Sequence, residues 1–252
     1  MKIFKSITDF TNWRNSVESQ NVGFVPTMGA LHLGHFSLIK QSLKKNSITV
    51  VSIFVNKLQF GPNEDFDNYP RTLEKDLKAL ESMKVDVVFL PAHTELYGQS
   101  FSFAVSENSL STKLEGAARP QFFNGVCTVV LKLFNIVKPN QTFFGQKDIQ
   151  QLMIIQKMTL DLNLNIEVIG CKTIREKNGL AMSSRNQYLN NEEKCLAANI
   201  YLFLQESKKM ILKKAKYSDV VKSFNKNIKR VGIMKVDYIS VACINTFDEL
   251  ND

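Results

Sequence analysis

The sequence predicts an α/β protein in which a doubly wound parallel sheet is followed by a second, smaller α+β domain. Short apolar segments alternate with amphipathic helical patterns through the larger, N-terminal part of the chain. Parallel strands need crossover connections, which are usually helices, so this alternation favours a parallel sheet with helices on both faces. After Thr173 the pattern changes to lysine-rich helices and one terminal strand over residues 236–242. With the change of character near residues 171–175, we expect a first domain over residues 1–172 and a second over residues 173–252.

The elements of the first domain follow from hydrophobic spacing and turn residues. Apolar runs of strand length occupy residues 23–25, 49–55, 85–90 and 142–144. Apolar residues at helical spacing predict helices over residues 36–44, 72–83, 126–137 and 149–161, with further helices between residues 191 and 231. Ligands of such sheets bind at the carboxyl ends of the strands. The loops that follow the strands are therefore where a functional site is expected.

The composition is that of an ordinary soluble globular protein, with 252 residues, of which 44% are hydrophobic and 22% charged. The N-terminus has no apolar stretch of signal-peptide length, and no apolar run approaches membrane-spanning length. We therefore expect a cytoplasmic location and no membrane partner. Widely spaced cysteines without a CxxC pair indicate reduced thiols rather than a zinc site or a disulfide framework. They are Cys127, Cys171, Cys195 and Cys243.

The net charge of +8 is concentrated in one segment. Residues 201–235 hold nine lysines and Arg230 against Glu206 and Asp219, so this segment carries the whole excess. A basic segment can bind nucleic acid, and a basic nucleic-acid-binding protein is one alternative for the chain. The lysines alternate with apolar residues, however, and no aromatic stripe accompanies them as stacking on single strands would require. We favour solvated faces of amphipathic helices and expect no nucleic-acid partner.

The most informative motif is PTMGALHLGH, residues 26–35, which lies between a predicted strand and a predicted helix. Gly29 allows a tight turn, and Gly34 leaves the first helical turn without a side chain, so an anion can approach free N–H groups. His32 and His35 are three residues apart and therefore lie on one helical face. Both can donate hydrogen bonds to the same phosphate without being charged. The motif predicts a site for a nucleoside triphosphate.

A second strand, turn and helix start carries the sequence GQKD, residues 145–148. Lys147 would neutralise polyphosphate charge, with an exposed surface lysine as the equally open alternative. Asp148 is suited to cap the helix that begins at Ile149. Gln151 lies one turn beyond Lys147 and would share its face.

Three further loops carry polar groups whose roles are less specific. Asn56 and Gln59 follow the end of a strand, and a carboxamide can both donate to a carboxylate and accept from a hydroxyl or ammonium. Arg119 supplies a cation in the loop of residues 114–120. The hydroxyls and guanidinium of residues 183–185 fit phosphate oxygens. Two adjacent serines in a loop more often form a turn than a binding site, however. For YPRT, residues 69–72, a turn capped by Thr72 and a direct ligand role are equally open.

Taken in order, PTMGALHLGH, SIFVNKLQF, YPRT, LEGAARP, FGQKDIQQ and MSSRN resemble the pantothenate synthetase family. These are the pantoate to beta-alanine ligases of the HIGH nucleotidylyltransferase superfamily. The resemblance covers residues 23–189. It implies a Rossmann-like first domain, a small C-terminal lid domain and a homodimer.

The resemblance also implies particular roles for site residues. His35, with His32 and Lys147, would be catalytic. Gln59 and Gln151 would hold pantoate, with Gln59 also near beta-alanine and with Asn56 and Arg119 in the same substrate site. ATP would bind Pro26, Met28, Gly29, Ala30, Leu31, His32, Leu33, Gly34, His35, Gly145, Gln146, Lys147, Asp148, Ile174, Met182, Ser183, Ser184 and Arg185.

The implied chemistry agrees with these residue types. A carboxylate is a poor electrophile, so pantoate would attack the α-phosphate of ATP to give pantoyl adenylate and pyrophosphate, and beta-alanine would then displace AMP. Mg²⁺ would arrive with ATP, and the sequence indicates no dedicated metal site. A different HxGH enzyme, one that transfers a nucleotide to a phosphate, is the alternative within the same class. It would leave Gln59 and Gln151 without a carboxylate to bind.

The chain departs from the family pattern at three places. Lys57 stands where proline is common, which predicts a less rigid loop around Gln59. Gln121 and Phe122 stand where glycine and histidine are usual. The chain ends at Asp252, before the last strand and arginine-containing tail of the family, so the sequence predicts a small domain that lacks these parts.

Overall fold

The computed structural model describes residues 1–233 and 235–252 and divides into two compact units. The first unit comprises Met1–Glu107 and Gln121–Thr173, and the second comprises Asn108–Pro120 and Ile174–Asp252. The segment Asn108–Pro120 joins the second unit through contacts with the C-terminal region. The Lys113 ammonium donates to the Thr246 carbonyl at 2.8 Å and to the Asp248 carboxylate at 2.6 Å.

The first unit is built on a six-stranded parallel sheet with the strand order β1-β4-β3-β2-β5-β6. This confirms the predicted α/β fold class. From β2 the chain winds outward through β3 and β4, and then returns to the other side of β2 with β5 and β6. The strands are β1 Lys2–Phe4, β2 Val22–Thr27, β3 Ile48–Ile53, β4 Val87–Phe89, β5 Gln141–Gly145 and β6 Glu167–Cys171.

Helices cover both faces of this sheet and also form the second unit. Those of the first unit are α1 Ile7–Ser16, α2 Leu33–Lys45, α3 Leu73–Ser82, α4 His93–Leu96, α6 Phe122–Val137 and α7 Ile149–Asp161. Those of the second unit are α5 Glu115–Ala118, α8 Asn191–Leu212 and α9 Tyr217–Arg230. Short 3-10 turns occupy Lys57–Gln59, Leu110–Thr112, Gln146–Asp148 and Ser184–Tyr188.

The core of the first unit consists of the apolar central strands and the helices packed against them. Val25, Val51 and Phe143, from three neighbouring strands, are fully buried together with Ile39 of α2. On the other side, the Phe134 ring of α6 meets the Phe24 ring edge-on, with the ring centroids 6.4 Å apart. A strand that is covered on both faces needs apolar residues at successive positions, which is why these strands appear as continuous apolar runs.

The second unit has a smaller core, formed where α8 packs on α9. Phe203 of α8 lies against Phe224 and Ile228 of α9, and all three are at most 5% exposed. The nine lysines of residues 201–235 are all exposed. The five that belong to α8 and α9 lie on the solvated side of these helices, as the alternation with apolar residues predicts, and they are Lys208, Lys209, Lys222, Lys226 and Lys229.

Several sequence predictions differ from the structure in extent. The four predicted strands of the first unit are present with shifted ends, as are three of its four predicted helices, while α7 has its predicted bounds. The elements β1, α1, α4 and β6 were not predicted. The strands β1 and β6 are edge strands of the sheet, and their partly exposed residues leave no continuous apolar run. The predicted strand over residues 236–242 is wrong: within the described residues this segment has only one bridge, between Ala242 and Glu249. A strand needs a partner along its length, and one bridge does not supply it.

Candidate active site

The two predicted phosphate-binding loops emerge side by side from the sheet. PTMGALHLGH follows β2 and GQKD follows β5, and β2 and β5 are neighbouring parallel strands. The winding of the sheet reverses between these two strands, which makes this the topological switch point where ligands bind in open α/β sheets. Pairing between them joins Gly23 with Gln141 and Phe24 with Thr142. Pro26, which has no N–H to donate, lies beyond that paired stretch.

The loop after β2 makes a tight turn with left-handed backbone at Gly29 and Ala30, where φ is +80° and +48°. Gly29 is required here, because a Cβ atom would lie 3.0 Å from the Ile53 side chain on a backbone that already disfavours one. The Gly29 N–H donates to the Thr27 hydroxyl at 3.1 Å, and that hydroxyl donates to the Ser52 carbonyl at 2.8 Å. The turn is therefore held by the neighbouring strand.

A buried carboxylate that the sequence interpretation missed also holds this turn. Asp76 of α3 is 1% exposed, and its two oxygens accept the N–H groups of Ala30 at 2.8 Å and Leu31 at 2.9 Å. The Thr72 hydroxyl donates to the same carboxylate at 3.1 Å. An acidic residue in the first turn of a helix usually only complements the helix dipole, so the sequence signal for this role was weak.

The YPRT segment supports the fold of this region. Thr72 precedes α3 at the capping position, but its side chain makes no capping bond and contacts Asp76 instead. The Arg71 guanidinium donates to the carbonyl groups of Phe66, Asp67 and Tyr69 at 2.9, 3.0 and 3.2 Å. Three carbonyl groups of its own loop thus bind the Arg71 cation.

The structure brings the two histidines of the motif together at the start of α2. His32 is the N-terminal cap, and its Nδ1 accepts the Gly34 N–H at 3.1 Å. The Nδ1 atom of His35 accepts the His32 N–H at 3.3 Å, which completes a reciprocal capping box. The ring centroids are 4.1 Å apart. An imidazole whose Nδ1 accepts carries its proton on Nε2, so each ring keeps one Nε2–H donor.

Both imidazoles are held neutral. Burial, together with the neighbouring His32 and the Lys147 ammonium, lowers the pKa of His35 to about 3. Burial also lowers the pKa of His32, with Lys147 acting in the same direction and Asp148 opposing it. At neutral pH the pair therefore offers two uncharged N–H donors, and the positive charge of the site is on Lys147.

Lys147 lies in the 3-10 turn between β5 and α7, with its side chain exposed. Its Nζ is 3.1 Å from the carboxylate of Asp148. The prediction that Asp148 caps α7 is wrong for its side chain, which makes no capping bond. The backbone at Asp148, with φ −103° and ψ 62°, departs from the extended conformation that a capping side chain needs. Gln151 is partly exposed on the first turns of α7.

Asn56 and Gln59 form a carboxamide cluster beyond β3. The Asn56 Nδ2 atom donates to Gln59 Oε1 at 3.1 Å and to the Gly125 carbonyl at 3.0 Å. The Gln59 Nε2 atom in turn lies 3.0 Å from the Met28 sulfur, on the loop after β2. The cluster depends on Gly125, because a Cβ atom there would clash with the Leu58 carbonyl.

Lys57 occupies the first position of the 3-10 turn that carries Gln59. The family's common proline would suit such a first position, which needs no N–H partner. Lys57 instead places its ammonium 5.8 Å from the centroid of the Phe66 ring. The prediction that the loop around Gln59 is less rigid than with a proline stays a prediction.

The remaining predicted site residues belong to the second unit. Met182 donates its N–H to the Ile174 carbonyl at 2.9 Å, which keeps these two predicted ATP residues adjacent. Ser183 caps the following 3-10 turn by accepting the Arg185 N–H at 3.3 Å, while Ser184 is buried and Arg185 is exposed. Arg119 lies 3.2 Å from the Glu115 carboxylate. Their roles in binding ATP or substrate stay predictions.

No three His, Cys, Asp or Glu side chains in residues 1–233 and 235–252 converge as they would need to in order to hold a metal ion. In the same residues, no helix combines the length and apolar character needed to cross a membrane.

A parallel sheet with neutral imidazole donors and a lysine at its switch point defines a nucleotide-binding α/β enzyme. The sequence model of the pantoate-beta-alanine ligase family matches residues 2–252. The chain belongs to that family.

Individual relatives support this membership. The pantothenate synthetase of Thermosipho africanus is 49% identical over 96% of this chain and 87% of its own length. A crystal structure of pantothenate synthetase from Thermus thermophilus superposes with a TM-score of 0.94 at 38% identity, covering 100% of this chain and 91% of that one. A pantoate-beta-alanine ligase from Francisella tularensis, solved in complex with beta-gamma ATP and beta-alanine, has a TM-score of 0.79 at 39% identity, with coverage of 90% and 86%.

Proposed function

We propose that this chain condenses pantoate with beta-alanine at the expense of ATP, through a pantoyl-adenylate intermediate, and releases AMP and pyrophosphate. The observation that carries the proposal is the pair of neutral Nε2–H donors at the β2 and β5 switch point, beside Lys147 and the carboxamide of Gln59. Family membership supports it, as does the Francisella tularensis relative solved with beta-gamma ATP and beta-alanine.

The phosphate end of the site consists of His32, His35 and Lys147. In nucleotidyl transfer the protein mainly positions the reactants and stabilises charge on the phosphate oxygens. Neutral imidazoles suit this task, because their N–H groups are already oriented by the capping box and need not lose a proton. Lys147 supplies the positive charge for the departing pyrophosphate. We assign the segment 26–35 and Gly145 to Asp148 to ATP, with Ile174 and residues 182–185 as further ATP ligands.

The carboxylate end of the site consists of Gln59 and Gln151. The amide N–H groups of a glutamine can hold the pantoate carboxylate, while its carbonyl can accept from a hydroxyl or an ammonium. Both hydrogens on Asn56 Nδ2 have acceptors in Gln59 and Gly125. We therefore assign Asn56 to the support of Gln59, and leave direct contact with pantoate to Gln59, Gln151 and Arg119.

We propose that Mg²⁺ enters with the phosphates of ATP. Magnesium keeps several waters and is usually held by substrate phosphates and one or two carboxylates. We assign this role to Asp148, which lies beside Lys147 in the loop after β5. The ion would neutralise phosphate charge. We also propose that the chain acts as a cytoplasmic homodimer, and light scattering in solution tests the dimer.

The product pattern tests the proposed reaction. With ATP, Mg²⁺ and pantoate alone, we expect one pyrophosphate per active site in a burst, and continuous release of AMP, pyrophosphate and amide after beta-alanine is added. Lys40→Ala, at an exposed position of α2, serves as a control and should match the parent. Formation of ADP and inorganic phosphate would exclude an adenylate and refute the proposal. Nucleotide transfer to a phosphate acceptor, without pantoate, would favour the other HxGH chemistry.

A further inference from the structure

The carboxamide cluster of Asn56 and Gln59 contains one more polar group, the hydroxyl of Tyr97. Tyr97 follows α4 and is 6% exposed. Its hydroxyl lies 2.9 Å from Asn56 Oδ1. Its ring is fixed by the rings of Phe54 and Phe101, with centroids 6.0 and 4.9 Å away. A packed ring of this kind holds its hydroxyl in one place.

The hydrogen bonds of this cluster determine which way each amide points. The Gly125 carbonyl can only accept, so the Asn56 atom that faces it must be Nδ2. The same Nδ2 faces Gln59, so the Gln59 atom in that contact must be the oxygen Oε1. Asn56 Oδ1 is then left for Tyr97, which must donate. Burial also raises the pKa of Tyr97, so the hydroxyl keeps its proton.

This chain of contacts ends at the substrate site. With Oε1 of Gln59 taken by Asn56, its Nε2 faces the Met28 sulfur on the loop that carries the histidine motif. If the Tyr97 donor were lost, Oδ1 of the buried Asn56 would have no donor, while the Gly125 carbonyl would still keep the Asn56 amide from rotating. The Asn56 side chain would then be held at fewer points, and Gln59, whose Oε1 it binds, would be less firmly placed.

We propose that Tyr97 is a positioning residue for the carboxylate substrate: its hydroxyl anchors the Asn56 side chain, and Asn56 in turn holds Gln59 with its N–H groups available to the carboxylate. The inference rests on the proposed function, in which Gln59 binds the pantoate carboxylate. Tyr97 acts in this proposal only through Asn56 and Gln59, so its removal should weaken recognition of pantoate more than that of ATP.

Steady-state kinetics of Tyr97→Phe test this inference, because the variant keeps the packed ring and removes only the hydroxyl. We expect the KM for pantoate to rise about 2- to 10-fold, the range for the loss of one hydrogen bond, while the KM for ATP changes less than about twofold. The matched control is Ser42→Ala, which removes a buried hydroxyl contact of 2.8 Å with Thr49 outside the cluster. It should lower the melting temperature without raising the KM for pantoate.

A double-mutant cycle separates a positioning role from a structural one. In the Asn56→Ala background, adding Tyr97→Phe should leave the KM for pantoate unchanged, because the side chain through which Tyr97 acts on Gln59 is already missing. An equal increase in both backgrounds would overturn the inference. If Tyr97→Phe does not fold, Asn56→Asp is the variant to measure. It keeps an acceptor for the Tyr97 hydroxyl but has no donor for Gln59. An unchanged KM for pantoate in this variant would overturn the inference.

The parent protein distinguishes failure of this inference from failure of the proposed function. If the parent releases no pyrophosphate with pantoate and ATP, the proposed function is wrong. If the parent is active and Tyr97→Phe shows the parental KM for pantoate, only the role of Tyr97 is wrong.

Discussion

At the scale of single residues, the proposed function depends on which ring nitrogen of His32 and of His35 carries the proton. Because the Nδ1 atoms of His32 and His35 accept backbone N–H groups, the tautomer of each ring is set by the start of α2. The low pKa of His35 keeps that ring neutral under ordinary conditions. Neutral donors that are oriented in advance are the kind of group that stabilises charge developing on a phosphate.

His35→Ala tests the role of this donor. We expect the adenylation rate to fall about 10²- to 10³-fold, the range for removing one preorganised donor to developing charge. The free energy of unfolding should fall by about 1 kcal/mol, because the His32 N–H loses its acceptor in the capping box. Single-turnover pyrophosphate release and denaturant unfolding measure the two effects. A rate close to that of the parent would show that His35 is not catalytic.

The lowered histidine pKa also predicts how stability depends on pH. In the unfolded chain His35 titrates near 6.5, whereas in the folded protein its pKa is about 3. Below pH 6.5 the unfolded chain therefore binds more protons than the folded protein. The contribution of the neutral His35 to the free energy of unfolding is complete above that pH and is lost as the pH falls toward 3. Through this group, the free energy of unfolding changes by at most about 1.4 kcal/mol per pH unit.

Urea unfolding between pH 4 and 8 measures this slope. His35→Gln keeps polar atoms at the position but cannot titrate, so its stability should vary less over the acidic range than that of the parent. Lys40→Gln, on the exposed side of the same helix, serves as the control. Identical pH profiles for the parent and His35→Gln would contradict the assigned pKa shift.

At the scale of elements, α3 holds the turn of the loop after β2 through the carboxylate of Asp76. Asp76→Asn replaces an oxygen that accepts an N–H of the turn with an NH₂ group that cannot accept. We expect a loss of about 1–3 kcal/mol in stability. The KM for ATP should rise at the same time, because the left-handed turn at Gly29 and Ala30 loses its support. Glu74→Gln, at an exposed acid in the same helical turn, should change neither quantity.

At the start of α6, one departure from the family pattern places a residue other than glycine in left-handed backbone. Gln121 stands where glycine is usual, and its backbone is left-handed with φ +72°. Left-handed backbone lowers the stability of the folded protein by about 1–2 kcal/mol when the residue is not glycine. A glycine avoids this strain but lowers stability by about 0.4–1 kcal/mol, because it increases the conformational entropy of the unfolded chain. We expect Gln121→Gly to raise the free energy of unfolding by about 0.5 kcal/mol. Gln121→Ala keeps the strain and should give no gain, so an equal gain in both variants would argue against backbone strain.

Prediction from the sequence succeeded where a signal is local. Helix α7 was predicted with its observed bounds, because apolar residues recur at helical spacing along its whole length. Its Asp148 was nevertheless assigned the wrong contact, since the backbone angles that decide capping depend on the preceding turn. The sequence did not predict the contacts of Asp76 and Tyr97, because their partners are distant in sequence. Asp76 binds the N–H groups of Ala30 and Leu31, and Tyr97 contacts Asn56.

At the scale of the whole molecule, the two units differ in how their backbones are held. The first has a six-stranded sheet, whereas in the described residues of the second unit the β contacts are isolated bridges, Arg175 with Ala181 and Ala242 with Glu249. Segments with few buried contacts and exposed hydrogen bonds open at low free energy. We therefore expect amide hydrogens after Thr173 to exchange faster than those of the sheet when ATP is absent.

Hydrogen exchange with and without ATP measures this difference. We expect ATP to slow exchange at residues 182–185, which the family resemblance assigns to ATP, as well as at residues 26–35. Protection of the second unit equal to that of the sheet, with no gain on adding ATP, would show that these residues are already rigid and do not respond to the nucleotide.

The sequence by itself determined the class of this protein, since alternating strands and helices predict a parallel sheet and six ordered motifs indicate one family. These patterns involve residues that are close in the sequence, so they can be recognised without knowing how the rest of the chain folds. Only the tertiary structure decided which groups act together. The orientation of the Gln59 amide, the support of the turn by Asp76 and the low pKa of His35 arise from contacts and burial contributed by other elements. Such contacts exist only after the chain has folded, because folding brings together residues that are distant in the sequence.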